Sequence, residues 1–154
     1  MKYKNEVVLV TGSTRGIGRG IAEAFAKEGA AVVINGTHTE HVAKTVAEFS
    51  ELGYRVHGET FDVSNYGDTF SAIQNINQKL GNITILVNNA GISPKKDGRK
   101  VMFQDLDPKV WEQVVDVNLN GVFNCCRAVI NDMIVQKRGK IINISSAFAR
   151  YYSP

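Results

Sequence analysis

The chain has 154 residues, of which 44% are apolar and 21% charged, and its formal net charge is +3. That length suits one domain burying roughly 70% of its unfolded surface, and no apolar run approaches the roughly 18 residues of a membrane-spanning helix. The charge excess sits in Lys95-Lys96-Asp97-Gly98-Arg99-Lys100, so the rest of the chain sums to zero and a chain-wide basic surface for nucleic acid is excluded.

Short β-branched runs alternate with longer helical stretches. Met1 to Glu6 leads directly into an apolar run, with no signal-peptide core or cleavage site, so a cytoplasmic location is expected. Val7 to Thr11 reads as a buried strand ending at Gly12. Ile17, Ile21, Ala22, Phe25 and Ala26 recur at helical spacing from about Gly16 to Glu28, and Gly29 closes that helix. Ala31 to Asn35 is a second strand. Thr39 is placed to cap a helix reaching Leu52, and Gly53 ends it. Tyr54 to Phe61 is a third strand. Ser64 is placed to cap a helix reaching Leu80, with Gly81 as its stop. Ile83 to Val87 is a fourth strand. Gly91 to Leu106 is the one long irregular stretch, and loops of that length are usually functional or disordered. Its cationic segment reads as a solvated loop or as a docking spot for an acidic substrate or carrier.

Pro108 suits the first turn of a long helix carrying Trp111, Val114, Val115, Val117, Leu119, Val122 and Phe123. Within that helix Cys125 and Cys126 are adjacent and are the only cysteines, which gives neither a disulfide framework nor a zinc pattern. Buried, inert thiols in a reducing compartment are expected. Lys140 to Ile144 is a fifth strand. Strand–helix alternation with continuous apolar strands predicts a Rossmann-type, doubly wound parallel α/β sheet covered on both faces.

Thr11-Gly12-Ser13-Thr14-Arg15-Gly16-Ile17-Gly18 joins the first strand to the first helix. A dinucleotide pyrophosphate needs a sharp turn there, a backbone without Cβ beside the phosphates, and a helix packed closely on the strand. Gly12, Gly16 and Gly18 suit those needs in turn. The helix start adds N–H groups and a positive dipole end. No carboxylate stands at the end of the second strand, Val33-Ile34-Asn35-Gly36-Thr37-His38, to hold the ribose hydroxyls of NAD. Arg15 and Thr37 are instead placed to reach a 2′-phosphate, so NADP (NADPH) is expected as cofactor, and His38 reads as a surface residue.

The glycine spacing, with Phe61-Asp62-Val63, Asn88-Asn89-Ala90-Gly91-Ile92, Asp116-Val117-Asn118-Leu119-Asn120-Gly121 and Ile141-Ile142-Asn143-Ile144-Ser145-Ser146, resembles the short-chain dehydrogenase/reductase family. The likeness is greatest to its 3-oxoacyl-(acyl-carrier-protein) reductase branch and covers essentially the whole chain. The resemblance implies that Gly12, Ser13, Thr14, Arg15, Gly16, Ile17, Gly18, Thr37, Asp62, Val63, Asn89, Ala90 and Gly91 bind the cofactor. Asp62, beside the Val63 backbone, would accept from the adenine amino group, Asn89 would touch the cofactor, and Asn88 would tie strands together.

Carbonyl reduction needs an oxyanion donor and a proton donor. The resemblance gives the first role to Ser146, with Ser145 as the alternative, and gives Asn118 the holding of a water in a proton relay. Asn118 reads equally as a polar residue in a helix kink, and Ser146 as a turn serine. The proton donor would be a Tyr with a Lys four residues on, about thirteen residues beyond Ser146 and so past Pro154. Tyr151 and Tyr152 come too early and have no Lys after them. The expected enzyme is an NADPH-dependent reductase of a 3-oxoacyl thioester or similar ketone, on a small-molecule or carrier-bound substrate, with sugar and steroid carbonyls open as alternatives. Residues 1–154 are then one NADP-binding domain incomplete at its C-terminal end, inactive alone, and part of a homo-oligomer without a metal. The competing reading is a truncated, non-catalytic NADP-binding module.

Overall fold

In the computed structural model, residues 1–96 and 98–146 are described. Five parallel strands form the main sheet: β1 (Val7–Val10), β2 (Ala31–Gly36), β3 (Val56–Thr60), β4 (Ile85–Asn88) and, after the hairpin given below, β7 (Lys140–Asn143). Their order across the sheet is β3-β2-β1-β4-β7. The order reverses direction at β1, which opens a crevice beyond the carboxyl ends of β1 and β4. The expected doubly wound sheet is therefore present as far as its fifth strand.

Alternate residues of each strand face opposite sides. Val8, Val10, Val32, Ile34, Ile85 and Val87 pack under α1 (Gly16–Lys27) and α2 (Thr39–Glu51), against Ala22, Ala26, Val42 and Phe49. Leu9, Val33 and Leu86 pack on the other face, under α3 (Tyr66–Leu80) and α5 (Gly121–Val135), against Ile73, Ile76, Cys125 and Val129. Two apolar layers explain why these strands read as unbroken apolar runs.

Several boundaries differ from the sequence expectation. Thr39 is not a cap: it is the first residue of α2, and His38 precedes it without a side-chain capping bond. Ser64 is not a cap either, because its hydroxyl and N–H both donate to Asp62 Oδ1, at 2.7 and 2.9 Å. Asn65 takes the role, accepting from the Asp68 N–H. The irregular stretch contains an antiparallel hairpin, β5 (Lys95–Lys96) and β6 (Arg99–Lys100), and a 3-10 turn at Phe103–Asp105.

The long helix after Pro108 is broken. It runs as α4 (Pro108–Val115), a π-turn at Asp116–Asn120, and then α5. After the wider turn α5 begins close to the segment that follows β3, where a Cβ on Gly121 would come within 2.7 Å of Val63 Cγ2. Cys125 is buried as expected, and burial first, then the neighbouring Cys126, pushes its thiol up to about 12. Cys126 is only half-buried and accepts a hydrogen bond from the Asn88 amide.

Candidate functional site: a cleft at the carboxyl ends of the strands

The turn after β1 is held from two sides. On one side Asn35, the penultimate residue of β2, accepts from the Gly12 N–H at 3.1 Å, and its own amide donates to the carbonyls of Glu59 and Phe61. Its backbone exchanges bonds with Ser13, through Ser13 N–H to its carbonyl and its N–H to Ser13 Oγ. On the other side Thr11 Oγ1 accepts from the N–H groups of Asn89 and Ala90, each at 3.0 Å, and the Asn89 amide donates to the carbonyls of Thr11 and Gly12.

Gly12 occupies the sharp turn and Gly18 the close helix–strand contact that their spacing implied. Gly12 has φ +62° and approaches Ala90, so that a Cβ would stand 2.9 Å from Ala90 Cα. A Cβ on Gly18 would be 2.3 Å from Asn89 Nδ2 and 2.4 Å from the Gly12 carbonyl. Gly16 differs: φ is +56°, yet a Cβ would meet nothing within 4 Å. Its missing side chain faces open space at the first turn of α1, which has no acidic residue and no side-chain cap.

That space is a cleft of about 740 Å³. Gly12, Thr14, Arg15, Gly16, Ile17, Gly18, Thr37, Asp62, Val63, Asn89, Ala90 and Gly91 all line it. Ser13 does not: it is fully buried under the turn with its hydroxyl accepting from Asn35. Asn118 and Ser146 also lie outside the lining residues. Asn118 stands in the π-turn, where its amide accepts from the Ile92 N–H at 2.8 Å and donates to the Ile92 carbonyl at 2.9 Å. The kink reading therefore describes its geometry, and it clamps the segment after β4. Ser146 follows the carboxyl end of β7, at the same edge of the sheet as Asn89 to Gly91. Asn88 ties strands as expected, donating to Asn143 Oδ1 at 2.9 Å. Tyr151 and Tyr152 lie outside the described residues.

Sequence reasoning passed over Asn35, His41 and Gln113, which also line the cleft, and set His38 aside as surface although it lines the cleft too. Asn35 carried a signal, a polar residue ending an otherwise apolar strand. His41 and Gln113 carried none that separates them from ordinary helix-surface residues.

The crevice suits a dinucleotide. It lies at the topological switch point, presents bare backbone at a helix start, and leaves the volume a Cβ on Gly16 would enter. Comparison with known proteins agrees: the short chain dehydrogenase family model matches residues 6–154, and the chain belongs to that family of oxidoreductases. Among curated relatives it is 41% identical over 148 residues to 3-oxoacyl-[acyl-carrier-protein] reductase FabG of Aquifex aeolicus, covering 95% of this chain and 57% of that protein. It superposes on a 3-oxoacyl-[acyl-carrier protein] reductase with bound NAD from Brucella melitensis with a TM-score of 0.93 at 41% identity, over 99% of this chain and 58% of that one. A gluconate 5-dehydrogenase from Burkholderia cenocepacia, in complex with NADP and tartrate, gives 0.90 at 37% identity, over 99% and 58%. The chain spans between 51 and 61% of the length of the curated relatives it matches.

Proposed function

We propose that the cleft binds NADP(H), and that the whole protein reduces the carbonyl of a 3-oxoacyl thioester or similar ketone, small or carrier-bound, to an alcohol. The observation that carries this reading is Gly16, left-handed and side-chain-free at the start of α1, facing open cleft. A pyrophosphate there would accept from the first N–H groups of α1. Arg15 and Thr37 line the same cleft, and β2 runs out in Asn35 and Gly36 without a carboxylate, which favours a 2′-phosphate over free ribose hydroxyls. Asp62, its Oδ1 already engaged by Ser64, and Val63 would bound the adenine end. Asn89, Ala90 and Gly91 would bound the nicotinamide end.

When bound, the cofactor supplies the hydride. Ser146 would donate to the carbonyl oxygen as negative charge develops on it. Asn118, through Ile92, would keep the backbone after β4 in place. The Tyr implied by family resemblance would deliver the proton, with the Lys four residues on lowering its pKa and holding the nicotinamide ribose. A reducing, cytoplasmic setting and a homo-oligomer belong to the same reading, supported by two free thiols and by an exposed apolar face on α4 and α5.

Titration of the chain with NADPH and NADH tests the cofactor assignment. NADPH is expected to bind about tenfold tighter or better, since charge-assisted hydrogen bonds contribute roughly 1.5–3 kcal/mol. A preference for NADH would overturn it.

A further inference from the structure

Resting on the NADP reading, we infer that His38 and His41 form a second, proton-dependent part of the subsite for the adenosine 2′-phosphate. Both histidines line the cleft together with Arg15 and Thr37. Their rings stack, with centroids 5.3 Å apart and planes 24° from parallel. Thr37 Oγ1 and His38 Nδ1 are 2.9 Å apart. A hydroxyl suited to a phosphate thus shares a hydrogen bond with an imidazole.

That bond couples protonation to phosphate binding. In the neutral ring protonated at Nε2, the Thr37 hydroxyl donates to Nδ1 and its hydrogen is used. In the imidazolium, Nδ1–H must donate to Thr37 Oγ1, and the hydroxyl hydrogen is released to point at an anion. From that neutral tautomer, one proton taken up adds a cation and frees a donor. His41, stacked against the same ring, places a second imidazole beside it. Two stacked imidazoliums repel, and a dianion beside them offsets that repulsion.

The surrounding charges point the same way. Arg15 reaches the cleft from the turn before α1, and Asp62, after β3, is the one carboxylate among the described lining residues. On α2 itself Glu40 and Lys44 flank His41 in sequence with opposite signs. The strand end bears no carboxylate that would exclude the phosphate.

Calorimetric titration of the 154-residue chain with NADP⁺ and NAD⁺ at about pH 6 and pH 8 tests the inference, because imidazoles change charge across that span. The NADP⁺ dissociation constant is expected to rise roughly two- to fivefold toward the higher pH, the scale of an exposed charge pair, while that of NAD⁺ stays nearly flat. A phosphate monoester gains charge near pH 6, which favours binding at higher pH, so the opposite trend must come from the protein. Proton uptake on binding, read from buffers of different ionisation enthalpy, is expected for NADP⁺ and not for NAD⁺. Both rings are exposed, so His38→Gln and His41→Gln leave the core intact, and the double variant should lose the pH slope and the proton uptake. Parallel slopes for the two nucleotides, or a slope kept in the double variant, would overturn the histidine role and leave the cofactor site standing. Preference for NAD⁺ at both pH values, or binding of neither, would instead overturn the NADP reading and this inference with it.

Discussion

Three glycines separated by a few residues carry different burdens, and single substitutions can tell them apart. Gly18 sits against the Asn89 amide and the Gly12 carbonyl, so Gly18→Ala must push apart the clamp joining β1 to β4. Overpacking of that kind costs about 1–3 kcal/mol, and a lower denaturant midpoint is the expected readout. Gly16 has room around it, so Gly16→Val strains mainly the left-handed backbone, a cost of about 1–2 kcal/mol. Its larger effect should be on binding, because the isopropyl group would enter the space proposed for the pyrophosphate. Loss of NADPH binding in a chain whose circular dichroism stays native is expected, and unchanged affinity would refute the placement of the diphosphate.

At the scale of elements, long-range pairs decide how the sheet closes. Glu6, just before β1, meets Arg138, in the turn between α5 and β7, at 2.6 Å. Burial raises the Glu6 carboxyl, but the Thr84 hydroxyl and the Arg138 guanidinium together outweigh it, and the group is held below its ordinary value. A carboxyl depressed in the folded state adds stability above its unfolded pKa and loses it as pH falls through the folded value. Arg138→Ala should therefore cost about 1 kcal/mol near neutrality and little in acid below both values. Equal destabilisation at pH 7 and pH 2.5 in urea melts would count against the pair. The strands and first helices were legible in the sequence because burial on both faces writes an unbroken apolar run, and because a missing Cβ at Gly12, Gly16 and Gly18 has few other uses. The caps were less legible: Ser64 and Asn65 are both competent cappers of α3, and only the Asp62–Ser64 turn decides between them. The π-turn left one mark, the kink reading of Asn118, whose amide bonds outward to Ile92. His41 escaped notice because a polar residue in the first turn of a surface helix looks the same whether it faces bulk water or a cleft.

For the molecule as a whole, the two faces of the sheet are not equally finished. The layer under α1 and α2 is sealed, whereas beyond α4 and α5 the chain shows Trp111 53%, Phe123 64%, Ile134 65% and Val135 82% exposed. Among the described residues β7 is also an edge strand, with Ile142 and Ile144 each about two-fifths exposed. Exposed apolar surface of this extent beside an unpaired strand edge favours association. The 154-residue chain is expected to self-associate through α4, α5 and β7, with a second copy covering this face. Sedimentation velocity at micromolar concentrations should show species heavier than the monomer, and Phe123→Glu should shift them toward it by placing a charge in the contact. Because Phe123 is not among the residues lining the cleft, the same variant should bind NADPH as the parent chain does. A monomer at all concentrations, with or without Phe123→Glu, would show that this face does not hold a second copy.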